Sequence, residues 1–184
     1  MQPPEWFQTE RLMIRPHHRE EAEEIFYSYA SKTEVTRYVT WATHSSIDDT
    51  RRYLRQAIAQ RSEDSGAAYT IRLKRPNRVV GSIGLVHVRG EWQVGYVYSP
   101  TVWGNGLATE ALIGLFQAIE CQLDESIFSY VHPDNKASFR VLEKAGFVRD
   151  GLVVEGFSFP NLGGQVHPCI RFRLKAGDYE GLAL

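Results

Sequence analysis

The segment Val94-Gly-Tyr-Val-Tyr-Ser-Pro-Thr-Val-Trp-Gly-Asn-Gly-Leu-Ala-Thr109 decides how the rest of the chain is read. Its first residues alternate like a strand, the chain turns sharply between Pro100 and Gly106, and from Ala108 the apolar set Ala111, Leu112, Leu115, Phe116 and Ile119 recurs at helical spacing. A strand therefore runs through a glycine turn into the mouth of a helix. Free backbone N–H groups and the positive end of the helix dipole make such a mouth a site for phosphate oxygens. Side chains in place of Gly104 and Gly106 would hold a phosphate off; the plainer alternative is that the two glycines only permit a tight turn. The turn is neither of two familiar nucleotide motifs. Thr109 stands where a dinucleotide fingerprint asks for a third glycine or alanine, Glu125 comes before the next strand instead of ending it, and no Gly-Lys-Ser/Thr follows.

Working outward, Leu12 and Ile14 alternate with polar neighbours as in a short strand, and Ala22, Ile25, Phe26 and Tyr29 give a first helix its apolar stripe. Residues 35–45 have no period and carry Tyr38, Trp41 and His44. Ser46 to Asp49 then reads as a capping box before a second helix that packs Tyr53, Leu54, Ala57 and Ile58. Strands at 69–73, 79–88 and 92–99, separated by turn signals at 75–78 and Gly90, form an antiparallel meander. Beyond the glycine turn, a strand at 126–131, a helix at 135–145 stopped by Gly146, and strands at 147–154 and 169–174 complete the order.

Length and composition set the class. At 184 residues, with 43% hydrophobic and 23% charged residues, the chain reads as one globular domain over 1–184, with a core at about 8–175 and a tail at 176–184 that frays. The formal charge of -1 offers no global basic field for nucleic acid. No run of apolar residues is long enough to span a bilayer and no signal-peptide core opens the chain, so a cytoplasmic protein with no membrane partner is expected. Cys121 and Cys169 lie far apart, and the six histidines show no metal-ligand spacing, so neither a disulfide framework nor a metal is expected.

The glycine segment resembles the GNAT superfamily of acetyl-CoA-dependent N-acetyltransferases, whose motif runs Gln or Arg, two residues, Gly, one residue, Gly or Ala. Trp103-Gly-Asn-Gly-Leu-Ala108 matches its glycine and alanine positions and departs at the first, where Trp103 stands. Trp103, with Ala108-Thr-Glu-Ala111, resembles the branch holding the ribosomal-protein N-terminal acetyltransferases of RimJ and RimL type. His132-Pro-Asp-Asn-Lys-Ala-Ser138 followed by Val141-Leu-Glu-Lys-Ala-Gly-Phe147 is similar to that branch's Asn-x-x-Ser and Glu-Lys-x-Gly-Phe run, as is the opening Thr9-Glu-Arg-Leu12. The resemblance covers nearly the whole chain.

It implies an α/β (α+β) fold with a mixed, mostly antiparallel central sheet, two splayed parallel strands and flanking helices, the strand at 95–98 carrying a bulge. By resemblance, backbone groups of Tyr96, Val97 and Tyr98 pair with pantetheine, and an N–H near Val97 polarises the thioester carbonyl. Trp103, Gly104, Asn105, Gly106, Leu107, Ala108 and Thr109 would hold the pyrophosphate. Asn135 would bond the pantetheine amide and Ser138 would protonate the departing thiolate, with Tyr130 in reserve; simple helix capping is the alternative for Asn135 and Ser138. For a base, Gln93 occupies the position where some relatives carry a glutamate, which leaves Glu91, Glu155 or a water relay; surface charge is the alternative for both glutamates, as a strand-end place is for His132. Tyr38, Trp41 and His44 would wall the acceptor, unless Trp41 simply plugs the core. The implied partners are acetyl-CoA and a primary amine, either a protein N-terminus or a small molecule such as an amino acid, polyamine or antibiotic, with the protein a monomer or homodimer. A non-catalytic acyl-CoA-binding module is the competing class.

Overall fold

The computed structural model describes residues 4–62, 66–88, 90–119, 125–175 and 177–178, without the side chains of Ser62, Val154 and Glu155. Its strands are β1 (Phe7–Gln8), β2 (Leu12–Pro16), β3 (Gly66–Leu73), β4 (Arg78–Val88), β5 (Glu91–Tyr98), β6 (Ile127–Val131), β7 (Val148–Ser158) and β8 (Val166–Leu174). They form one sheet in the order β1-β2-β3-β4-β5-β6-β8-β7, antiparallel throughout except where β5 meets β6. The helices are α1 (Ala22–Ile25), which runs on into a π turn at Phe26–Ala30, α2 (Thr33–Thr36), α3 (Ile47–Ser62), α4 (Leu107–Ile119) and α5 (Lys136–Lys144). Among the described residues no helix is long and apolar enough to cross a membrane.

Strand alternation sorts these helices onto two faces. Trp92, Val94 and Tyr98 of β5 join a main apolar cluster with Leu112, Leu115 and Phe116 of α4 and Phe139 and Leu142 of α5. Val97, between Tyr96 and Tyr98, packs on the other face against a smaller cluster built from Ala22, Ile25 and Tyr29 with Leu54 of α3. Helix α4 is buried on most of its surface, Glu110 included, so it fixes the glycine turn rigidly to the core. At the start of α3, the Asp49 carboxylate accepts from the Ser45 and Ser46 N–H groups at 3.0 and 3.1 Å. That is the carboxylate half of the expected capping box.

The expected meander is present, with β3 and β7 longer than the alternation alone indicated and β1 unannounced by any pattern. One expectation is corrected. The strand at 95–98 carries no bulge: its register against β4 is continuous from Val88↔Glu91 to Gly81↔Tyr98. The irregularities fall between Ile71 and Arg72 and along β7. What parts β5 from β6 is the brevity of their parallel pairing, which consists of Trp92↔Ile127 and Gln93↔Phe128.

Candidate active site

Just beyond that pairing, the Ser129 hydroxyl donates to the Val94 carbonyl at 3.0 Å, a side chain standing in for the next ladder bond. From there the two strands diverge and leave a gap. Which backbone groups face it follows from parity. Ser99 N–H bonds the Val80 carbonyl at 2.8 Å in the same register, so alternate residues Val97 and Gly95 exchange bonds with Ser82 and Gly84. The Val97 carbonyl accordingly lies against Gly81. This moves the expected oxyanion donor: the Val97 N–H points at β4, and the amides that face the gap are those of Tyr96 and Tyr98. The Tyr98 carbonyl is already taken, by the Trp103 indole N–H at 2.9 Å. Trp103, half exposed, thus ties the end of β5 to the glycine turn.

At the turn, Gly104 and Gly106 have φ of +78° and +77°, left-handed values that favour glycine. No described hydrogen bond uses a backbone N–H of residues 104–109 as donor, while the Asn105 side chain ties the loop by donating to the Val102 and Trp103 carbonyls. Unpaired donors therefore crowd the first turn of α4, at Leu107, Ala108 and Thr109 as well as at the glycines. The space argument for Gly106 needs adjusting. A Cβ there would meet only the Arg11 guanidinium, at 3.8 Å, so glycine is required at 106 for its conformation more than for its size.

Arg11 and Glu110 were missed as site residues; Arg11 entered only within a resemblance, and the clue to Glu110 is a carboxylate in an otherwise apolar helix stripe. Arg11 Nε and Nη2 donate to the Glu110 carboxylate at 2.7 and 2.6 Å, and Nη1 donates to the Asn105 carbonyl at 3.0 Å. Glu110 also accepts from the Arg11 N–H and the Thr9 hydroxyl. Burial opposes its charge, but these donors win and hold its carboxyl below the usual range.

On α5, Asn135 is the N-cap and accepts from the Ser138 N–H at 3.2 Å, so the capping alternative is real. The Ser138 hydroxyl remains available for more. It lies 2.9 Å from the Tyr96 hydroxyl, which reaches across from β5 and whose ionisation burial suppresses. Tyr130 does not join this pair. Strand alternation turns Ser129 and Val131 toward α5 and Tyr130 away, and its hydroxyl donates to Glu91 at 2.7 Å. Burial, and then Glu91, push Tyr130 up to about 12. Glu91 is itself bound to Arg171 at 2.8 Å. The Glu155 side chain lies outside the described residues.

His132 is buried with Tyr38 stacked on it at 4.8 Å between ring centres. Its Nδ1 accepts from the Asp134 N–H at 3.2 Å, so in the neutral ring Nε2 carries the proton and donates to His167 Nδ1 at 3.3 Å. The ring has no free lone pair left with which to act as a base. Desolvation lowers its pKa, against the pull of Asp134, and keeps it in that neutral form.

The loop of Tyr38, Trp41 and His44 packs on the α1/α3 side and reaches the end of β6. Tyr38 lies on the end of β6, and Trp41 packs against the cluster that also takes Val97 of β5. His44 holds Thr50 at 2.8 Å, and its ring is 5.1 Å from that of Trp41. Asn161, which no sequence pattern marked, pins the loop: its amide N–H groups donate to the Thr36 and Trp41 carbonyls at 2.7 and 2.8 Å and its oxygen accepts from Thr43 N–H at 2.9 Å.

Comparison with known proteins agrees with this geometry. Residues 11–148 match the acetyltransferase (GNAT) domain family. The uncharacterized N-acetyltransferase YoaA of Bacillus subtilis is 31% identical over 79% of this chain and 84% of its own length. RimJ of Mycobacterium smegmatis, solved with a CoA disulfide, superposes with a TM-score of 0.80 at 19% identity over 94% of this chain and 88% of that one. The microcin C7 self-immunity acetyltransferase MccE, solved with acetyl-CoA and AMP, gives 0.81 at 15% identity over 90% and 93%. At those identities the two structures speak for the fold, and the family match speaks for the chemistry. With a gap between two parallel strands opening beside a turn of unpaired amides, the chain belongs to the GNAT family of acetyltransferases and is an N-acetyltransferase with acetyl-CoA as its donor.

Proposed function

We propose that the protein moves the acetyl group of acetyl-CoA directly to the α-amine of a peptide or protein, with no covalent enzyme intermediate. The observation that carries the reading is the run of unpaired N–H groups at residues 104–109 beside the gap-facing amides of Tyr96 and Tyr98. In this reading the pyrophosphate sits on the glycine turn and pantetheine lies along β5. The Tyr96 or Tyr98 N–H donates to the thioester oxygen as negative charge gathers there, a contribution of about 3 kcal/mol when well aimed. The amine attacks, the C–S bond breaks, Ser138, hydrogen-bonded to the Tyr96 hydroxyl, gives its proton to the CoA thiolate, and the proton shed by the amine is carried by water and restores Ser138.

The cost of deprotonation favours an α-amine over a lysine. Glu91 is held by Arg171, so this reading uses a water relay as the base. At pH 7 freeing an α-amine costs roughly 1 kcal/mol, against about 4.6 kcal/mol for a lysine. A water relay is enough for the former. Solved proteins of this fold include one named a ribosomal L7/L12 alpha-N-protein acetyltransferase, which supports this choice by analogy, and one named a microcin C7 self-immunity acetyltransferase, which keeps a small-molecule acceptor as the second reading. Competing peptides with free and blocked N-termini against polyamines and amino acids, with mass detection of the product, decides between them. Exclusive modification of small amines would defeat the α-amine reading.

A further inference from the structure

The unpaired amides of the glycine turn need to be aimed, and the turn contains little that could aim them. The Asn105–Gly106 peptide is flanked by glycines at 104 and 106, residues that let a peptide plane flip at low cost. It is a trans peptide, since among the described residues the only cis bond is Arg75–Pro76, so its carbonyl and its N–H point in opposite directions. Arg11 Nη1 holds that carbonyl at 3.0 Å. The Gly106 N–H must then point away from Arg11, toward the side where it has no described acceptor.

We infer that Arg11 is a positioning residue for the phosphates of the acyl donor: it fixes the Asn105–Gly106 peptide so that its N–H, and not its carbonyl, faces them. This rests on the reading of residues 104–109 as the pyrophosphate site. Arg11 is suited to the task because its side chain, though 46% exposed, is anchored at several atoms. Two of its nitrogens and its own backbone N–H are bound to Glu110, whose carboxylate is 6% exposed, and the Thr9 hydroxyl locks the same carboxylate. The guanidinium also brings positive charge to the turn, its Nη2 lying 3.8 Å from where a Gly106 Cβ would stand. Trp103 cannot supply that charge, and its indole N–H is spent on Tyr98. A released peptide would present its carbonyl dipole to the phosphates and repel them. The Thr9-Glu-Arg-Leu12 segment is thereby linked to the donor site from the far edge of the sheet.

The test compares two donors by calorimetry and steady-state kinetics: acetyl-CoA, and S-acetylpantetheine, which lacks the pyrophosphate. Arg11→Gln should weaken acetyl-CoA binding by about tenfold or more, the effect of one charge-assisted hydrogen bond and a lost cation. Turnover at saturating acetyl-CoA and the response to S-acetylpantetheine should match the unsubstituted protein. Arg11→Lys, which keeps the charge without the planar fork, should recover part of the loss, and it serves as the working variant if the glutamine form does not fold. Unchanged acetyl-CoA affinity, or an equal loss with both donors, would overturn the inference, the second outcome marking Arg11 as structural only. Failure of the unsubstituted protein to bind acetyl-CoA would instead defeat the proposed function itself.

Discussion

Ser138→Ala removes one hydroxyl and little else. The helix cap survives, because Asn135 uses the Ser138 backbone N–H, which alanine retains. The Tyr96 hydroxyl loses its 2.9 Å partner but keeps the Ser138 carbonyl at 3.3 Å, so the stability cost should be about 1 kcal/mol. The catalytic cost has a ceiling set by the leaving group. A thiol of ordinary acidity titrates near 8.5, so protonating its thiolate at pH 7 is worth about 2 kcal/mol, or roughly thirtyfold in rate. General acids often contribute more, but a thiolate needs less help than an alkoxide or amide nitrogen. Turnover should therefore fall by about ten- to thirtyfold, with acetyl-CoA affinity near that of the unsubstituted protein, when free thiol is followed at varied acetyl-CoA. Tyr96→Phe should cost less, since Ser138 keeps its own proton. Unchanged turnover in Ser138→Ala would refute the acid assignment, and parallel losses of affinity and rate would make Ser138 a binding residue.

Three further outcomes follow from the geometry. Gly106→Asp should weaken acetyl-CoA binding about tenfold by adding a carboxylate beside the proposed phosphate site, while Gly106→Ala, which shares the strain of a φ of +77°, should lower the melting temperature and spare most of the affinity; equal affinities in calorimetry would count against the phosphate site. Trp41→Ala should change acceptor KM or acceptor ranking without altering acetyl-CoA affinity, whereas a lower melting temperature with an unchanged ranking would make Trp41 a core residue. His17, 5% exposed and bonded to Thr70 and Tyr53, has its pKa brought down to about 4 mainly by burial. The unfolded chain then takes up a proton near pH 6.5 that the folded chain refuses until about pH 4, so stability should fall across that window by up to about 3 kcal/mol as the pH drops. His17→Gln should flatten the decline in urea midpoints measured from pH 7 to pH 4.

Much of the sheet was legible in the sequence because its strands alternate and its turns carry Pro, Asn and Gly at the required places. The two-residue β1 is too short to show a period, and the π turn at Phe26–Ala30 is too short to shift the apolar spacing of the first helix visibly. At the site, the glycine turn and the helix start at Asn135 were legible because both depend on local backbone chemistry. Arg11 with Glu110, Tyr96 with Ser138, and Asn161 with the Trp41 loop join residues 99, 42 and 120 positions apart, and no local pattern encodes such pairings. Which amide near Val97 faces the gap was illegible for a related reason: it depends on the ladder's parity, and that is set by pairing with β4.

An N-acetyltransferase must both bind acetyl-CoA and spend it on an amine. The direct measurement incubates the protein with acetyl-CoA and a mixture of α-amine peptides and small amines, reading free thiol and acetylated product in the same sample. Thiol release should be matched one for one by product, dependent on an amine, and reduced in Ser138→Ala. Tight acetyl-CoA binding with neither thiol nor product above background, across the whole acceptor mixture, would contradict the proposed function and leave a binding module in place of an enzyme.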